Sequence, residues 1–363
     1  MKRIKRFIDC YIPTETCNLR CHYCYIAQKR KFNNILAHFS HSLEEIQHAF
    51  FIERMGGVCL INLCAGGETL LSSEVLPVVR CLAELGHYVM IVTNGTLTNR
   101  FVEIANFPEN VRSHIFIKFS LHYLEMVRLN WLNRFADNVI LMKKNNISFT
   151  VEVTPSDELI PYIDELKDYC ISNFGALCHV TIARDDRTGG IDVLSSLDYE
   201  SYKKVWEVFD SDMFKFKTEI FYKKRKEFCY AGDWSIYVNL ETGVIRQCYC
   251  GKVIGNIYDF SKPICFEAIG TKCSLPHCYN GHAFLTIGDI PEINSTTYDL
   301  TRNRFCSDGT EWLQPEMKAI MHSRLQESNK EYGIIKKARI NRKDKPKKYS
   351  KKAIKRKIRN LIK

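Results

Sequence analysis

Through the first 185 residues, short apolar segments of strand character alternate with longer ones whose apolar residues recur at helical spacing. Strands are predicted at Phe7–Ile12, Val58–Cys64, Tyr88–Thr93, Ile115–Leu121, Ile147–Val153 and Leu177–Ala183, each rich in Val, Ile, Phe or Tyr and followed by turn residues. Between them, Ser42-Leu-Glu-Glu45 has the form of a capping box opening a helix. Val75, Leu76, Val79, Leu82 and Leu85 make a one-sided stripe ending at Gly86. Leu124–Lys144 and Asp157–Asn173 follow the same period, with Pro155 breaking the chain before the second. Six βα units of about 30 residues predict a parallel sheet with helices outside it, either an open doubly wound sheet or an incomplete barrel. In both, ligands bind beyond the carboxyl ends of the strands, so the residues just after each strand are where chemistry is expected.

The pattern changes in the second half. Arg187–Gly190 reads as a boundary or long loop, Tyr199–Tyr222 as helical, and Glu311–Glu331 as a helix with Pro315 in its first turn. Trp234–Leu240 and Val244–Tyr249 read as a hairpin around Glu241-Thr-Gly243. Seven of the 16 cysteines fall between Cys229 and Cys306. The expected domains are therefore a core over 1–190, a helical linker over 191–228, a cysteine-rich domain over 229–335 and a basic tail over 336–363.

Composition narrows the classes. The chain has 363 residues, 45% of them hydrophobic, enough for a sizeable core. No apolar run reaches half the ~20 residues a membrane helix needs, and Met1–Phe7 lacks the apolar stretch of a signal peptide. A cytoplasmic protein is expected, and in that setting clustered cysteines point to metal rather than to disulfides. Cys10, Cys59, Cys64, Cys81, Cys170 and Cys178 lie in strand or helix patterns and are read as small apolar core residues. The net charge of +11 is uneven: Lys336–Lys363 carries 15 Lys/Arg against one acid, so the rest of the chain is slightly acidic.

The strongest chemical signal is Cys17-Asn-Leu-Arg-Cys21-His-Tyr-Cys24, a C-x3-C-x2-C spacing just after the first strand. Three close thiolates can hold three irons of a [4Fe–4S] cube and leave the fourth open to a small molecule. On spacing alone a zinc site completed by His22 or His38 is the alternative. The motif, with aromatic Tyr23 before the last cysteine, resembles the signature of the radical S-adenosylmethionine (SAM) superfamily. Gly66-Gly67-Glu68 after the second strand resembles the same family's Gly-Gly-Glu, with Thr69 where proline is common.

The resemblance implies an α/β incomplete (β/α)6 TIM-like barrel with a small cysteine-rich C-terminal domain. It implies an enzyme holding a [4Fe–4S] cluster on Cys17, Cys21 and Cys24, with SAM bordered by Tyr23, Gly66, Gly67, Glu68 and Ser120. Reductive cleavage of SAM would give a 5′-deoxyadenosyl radical that abstracts hydrogen from a substrate. Thr93-Asn94-Gly95 is similar to a turn common in the family or is a plain strand-to-helix turn. His122, Glu152, Thr154 and Arg184 are weaker candidates at strand ends. In Arg184-Asp185-Asp186-Arg187 an Arg at the open end of the sheet could hold an anionic part of cofactor or substrate, but a solvated charged loop is the plainer reading.

Cys229 and Cys248, separated by the hairpin, resemble the opening of SPASM/twitch extensions that carry auxiliary clusters. The downstream spacing departs from a full SPASM module, which favours one auxiliary [4Fe–4S] cluster on Cys229, Cys248, Cys273 and Cys278. Cys250 or Cys265 are the substitutes and structural zinc the alternative. The expected reaction is oxidation or epimerisation of a sugar or other small metabolite, because no recognition wing precedes residue 7. Peptide or protein maturation is the second reading and a non-catalytic zinc-binding interaction module the third. An electron donor such as flavodoxin or ferredoxin is implied. In the tail, Ile354, Ile358, Leu361 and Ile362 stand at helical spacing among cations. That pattern favours an anionic membrane surface, such as the inner face of a cell membrane, or an acidic partner over nucleic acid; a solvated tail is the plain reading.

Overall fold

The computed structural model describes residues 3–279 and 285–342. All six predicted strands form: β1 (Arg6–Ile12), β2 (Cys59–Ala65), β3 (Tyr88–Thr93), β4 (Ile115–Leu121), β5 (Ser148–Val153) and β6 (His179–Val180). They pair in parallel and in sequence order. The predicted hairpin contributes β7 (Ser235–Asn239) and β8 (Val244–Arg246), and β9 (Val253–Asn256) follows. β7 runs parallel to β1, so one open nine-stranded sheet has the order β6-β5-β4-β3-β2-β1-β7-β8-β9, with β8 and β9 antiparallel. The α/β fold with an open parallel sheet is as expected. The segment assigned to the cysteine-rich domain continues that sheet from its β1 edge.

The predicted helices are interrupted where backbone chemistry demands it. The capping box at Ser42 and Glu45 is present with both of its hydrogen bonds. Leu124–Lys144 divides into Tyr123–Leu129 and Leu132–Lys144, because Asn130 takes a left-handed conformation (φ 57°) that ends the first helix. Asp157–Asn173 begins as a 3-10 turn through Pro161 and becomes regular only at Ile163. Tyr199–Tyr222 breaks at Asp210, and the helix predicted at Glu311 starts at Pro315, where the missing N–H costs nothing.

The two faces of the sheet bury different partners. Ile8, Ile61, Ile91, Ile117 and Val151 pack under the helices that follow each strand, against Leu76, Leu82, Phe101, Phe135 and Val139. The opposite face begins with Phe7, Leu60, Tyr88, Met90 and Phe116, which pack against Tyr298, Leu313, Met317 and Met321 from the C-terminal part. That part thus closes one end of the face and leaves the carboxyl-end half for polar groups. Cys10, Cys59, Cys81, Cys170 and Cys178 are buried as expected. Cys64 is a correction: its place in β2 puts it on the second face, where it borders two cavities. Among the described residues no helix is long and apolar enough to cross a membrane. Ile334–Arg342 is helical, and the amphipathic stretch expected at Ser350–Lys363 lies outside the described residues.

Candidate cofactor site and its adjoining cavity

The loop after β1 is laid against the loop after β2. Gly66 N–H donates to the Ile12 carbonyl (3.4 Å), Gly67 N–H to Thr14 (2.7 Å) and Glu68 N–H to Thr16 (2.9 Å). These bonds carry the parallel pairing of β1 and β2 onward into the cysteine loop. The approach is so close that a Cβ on Gly66 would lie 2.5 Å from the Thr14 carbonyl oxygen, and one on Gly67 1.8 Å from that of Thr16. Both glycines therefore serve the seating of the cysteine loop, in addition to bordering the expected cofactor space.

Glu68 is almost completely buried, and its carboxylate joins three segments. It accepts from Thr93 Oγ1 (2.6 Å), from Asn94 N–H (2.7 Å) and from Leu70 N–H (3.0 Å). Asn94 in turn donates to Asn18 Oδ1 (2.7 Å) inside the cysteine motif. The Thr93-Asn94-Gly95 turn is thus tied to the cysteine loop through Glu68 and Asn18. Replacing Glu68 by Gln puts an NH2 group where only acceptors fit, and is expected to cost about 2–3 kcal/mol in denaturant unfolding.

Cys17, Cys21, Cys24, Gly66, Gly67, Glu68, Asn94, Ser120 and His122 line one cavity of about 200 Å³. The donors suit an iron–sulfur cluster. Burial pushes the Cys17 thiol up to about 11 and the other two thiols up as well, and bound metal would supply the positive charge that holds them as thiolates. Among the described residues no three Cys, His, Asp or Glu side chains converge tightly enough to hold a single metal ion. Tyr23 turns its hydroxyl to His122 Nδ1 (2.8 Å), so two expected site residues form one unit.

Burial, with Lys118 nearby, pulls His122 down from 6.5 to about 4. An unfolded chain takes up this proton between those pH values and the folded one does not, so stability falls as pH drops through that window. Partial solvent access to the ring holds the effect to about 2 kcal/mol. His122→Asn is expected to flatten the decline between pH 6.5 and 4 in denaturation series measured across that range.

A second cavity, of about 320 Å³, adjoins the first and shares Cys24, Tyr25, Cys64, Val92 and His122 with it. Its walls hold residues that sequence reading passed over: Asp9, Asn62, Lys118, Lys217, Tyr249, Tyr279 and Arg302. Asp9, Asn62 and Lys118 each stand in the middle of a largely apolar strand, and that interruption is the signal that could have found them. Asn62 donates to Asp9 Oδ1 (2.7 Å), and the Tyr249 hydroxyl donates to the other oxygen. Glu152 does not line this cavity as an open polar group: it pairs with Lys118 (2.8 Å) and with Arg302. Thr154 does line it. The charged loop after β6 divides, with Arg184 and Asp186 facing the cavity while Arg187 pairs with Asp185 in solvent.

In the C-terminal part, Cys229, Cys248, Cys273 and Cys278 line one small cavity of about 30 Å³. Cys250 Sγ lies 3.8 Å from Cys273 Sγ at its edge. Cys265 is exposed, and Cys306 is buried against the Phe174 carbonyl, in a different place. The four expected thiols are therefore gathered, with Cys250 as the one near substitute.

Comparison with known proteins adds the decisive observation: residues 11–114, from β1 to the start of β4, match the model of the Radical SAM superfamily. Residues 11–114 form a radical SAM domain. A comparison with curated proteins gives no match. Among solved structures, the radical SAM domain and its surroundings are similar to Streptococcus suis SuiB bound to S-adenosylmethionine, at 16% identity and a TM-score of 0.51, over 70% of this chain and 64% of that one. SuiB bound to precursor peptide SuiA matches at 16% and 0.51, over 72% and 63%. The chain thus spans just under two thirds of the SuiB chains it matches. Native anSMEcpe with bound AdoMet matches at 14% identity and a TM-score of 0.47, over 70% and 78%.

Proposed function

We propose that this chain is a radical SAM enzyme acting on a substrate held in the larger cavity. The observation that carries the reading is the contiguity of the two cavities: one gathers the C-x3-C-x2-C thiols beside Gly66-Gly67-Glu68, and the other opens from its wall at Cys24, Cys64 and His122. Cys17, Cys21 and Cys24 would hold a [4Fe–4S] cluster, and Gly66, Gly67, Glu68, Ser120 and Tyr23 would border SAM. Bound there, that pair supplies one-electron chemistry able to start hydrogen abstraction from an unactivated C–H bond. The protein's part is positioning: the Glu68 tie fixes the loop, and the Tyr23–His122 pair, with a neutral imidazole, shapes the wall between cofactor and substrate.

The gathering of Cys229, Cys248, Cys273 and Cys278 supports one auxiliary cluster, within reach of the substrate cavity because Tyr249 lies in the sequence next to Cys248 and contributes to that cavity's wall. Such a cluster would suit a net oxidation, with a flavodoxin- or ferredoxin-like donor priming the first site. A small metabolite suits a cavity of about 320 Å³. Peptide modification is the second reading, favoured by the structure of SuiB with a precursor peptide bound.

The test is anaerobic reconstitution followed by assay of iron, sulfide and zinc, then chromatography for 5′-deoxyadenosine after incubation with SAM and reductant. About eight irons per chain and 5′-deoxyadenosine release support the full reading. About four irons with release removes the auxiliary cluster. Zinc alone, with no cleavage, overturns the proposal.

A further inference from the structure

Among the described residues the larger cavity gathers more basic side chains than acids: Lys118, Arg184, Lys217 and Arg302 against Asp9 and Asp186. Arg302 is fully buried, and among the described residues its Nε and Nη2 have no hydrogen-bond partner. Its other terminal nitrogen faces Glu152, which Lys118 Nζ also contacts at 2.8 Å, so two cations share one carboxylate. Lys217 is 5% exposed, and its ammonium donates to the neutral Thr181 Oγ1 at 2.8 Å. Arg184 enters the same wall with Asp186 at 3.8 Å. The remaining acid, Asp9, is engaged by Asn62 and Tyr249. The cations also press on one another: burial first and then Arg302 and Arg184 pull Lys118 down to about 7, and burial first and then Arg184 and Lys118 pull Lys217 well below its usual value.

Burying cations without matched anions is costly, and a site that retains them is built for something that supplies the missing charge. The smaller cavity, which holds the cysteines and Gly66-Gly67-Glu68, is lined by none of Lys118, Lys217, Arg184 or Arg302. These four basic side chains therefore belong to the larger cavity alone, and measured SAM affinities separate a second ligand from SAM itself.

We propose that the larger cavity takes a compact substrate bearing an anionic oxyacid group, a carboxylate or a phosphate, seated between the Arg302 guanidinium and the Lys217 ammonium. Two free guanidinium nitrogens and an ammonium with unused protons match the several lone pairs of such a group. This inference rests on the functional reading above and adds the chemical class of its substrate.

The test is calorimetric titration of the reconstituted full chain, at constant ionic strength, with inorganic phosphate, with malonate and with uncharged malonamide. One of the two anions is expected to bind saturably and malonamide not to bind; which anion binds separates phosphate from carboxylate. Lys217→Gln is expected to weaken that binding about tenfold, the loss of one charge-assisted hydrogen bond, and Lys217→Arg to restore most of it. SAM affinity, measured alongside, should be unchanged in both variants. The inference is overturned if neither anion binds, if the anion binds Lys217→Gln as tightly as the natural chain, or if SAM affinity falls with anion affinity. Cleavage of SAM without anion binding overturns it and leaves the functional reading standing. Anion binding without SAM cleavage overturns the functional reading and, with it, the assignment of that anion to a substrate.

Discussion

Replacing any one of Cys17, Cys21 or Cys24 by Ala is expected to abolish 5′-deoxyadenosine formation and to lower the iron content by about four atoms per chain. All three thiols border the same 200 Å³ cavity, so two remaining ligands would face a cluster with no third anchor. The C-terminal thiols sit at a separate cavity, and the iron of the proposed auxiliary cluster should remain. The measurement is elemental iron beside chromatographic detection of 5′-deoxyadenosine, with circular dichroism to show that the chain still folds. Cys→Ala changes at the buried Cys21 and the half-buried Cys17 and Cys24 remove little packing, so a folded, iron-poor and inactive variant is the expected combination. A single-cysteine variant that kept full iron and full cleavage would remove this loop from the proposed chemistry.

Gly67→Ala is expected to cost 3 kcal/mol or more of stability, the scale of a serious overpacking, and to prevent cluster loading. The added methyl would stand 1.8 Å from the Thr16 carbonyl oxygen and 2.9 Å from the Thr16 nitrogen. Both are backbone atoms and neither can rotate aside. Relief would require the β1 and β2 loops to part, breaking the Gly67-to-Thr14 and Glu68-to-Thr16 hydrogen bonds that seat the cysteines. Gly189→Ala is the internal comparison: nothing lies within 4 Å of the added atom, and its backbone needs no special conformation. Denaturant midpoints of the two variants, with their iron contents after identical reconstitution, check this. Equal midpoints would mean that the two loops are not held as described.

Much of this site can be read along the chain because it is local. Three cysteines within eight residues, and a Gly-Gly-Glu directly after a strand, bring their chemistry with them wherever the strand ends fall. Parallel order then places both at the same edge of the sheet, since every strand must point the same way. The helix interruptions at Asn130, Pro161 and Asp210 were less visible: apolar spacing runs on across a residue whose backbone turns aside.

The larger cavity could not be assembled in the same way. Asp9, Lys118, Lys217, Tyr249 and Arg302 come from five distant parts of the chain, and each by itself resembles an isolated charge or a surface residue. Cys64 reads as one more apolar position until the pleat of β2 turns it toward the cavities.

By itself the sequence determined the order of strands and helices, the cysteine motif and the close glycines, because periodicity and spacing are properties of neighbouring residues. The tertiary structure was needed for β7 to join β1, for Cys229, Cys248, Cys273 and Cys278 to share one cavity, and for four basic side chains, two of them buried, to line another. Those outcomes depend on which distant surfaces bury each other, and burial is what turns a charge from a solvated side chain into a binding group.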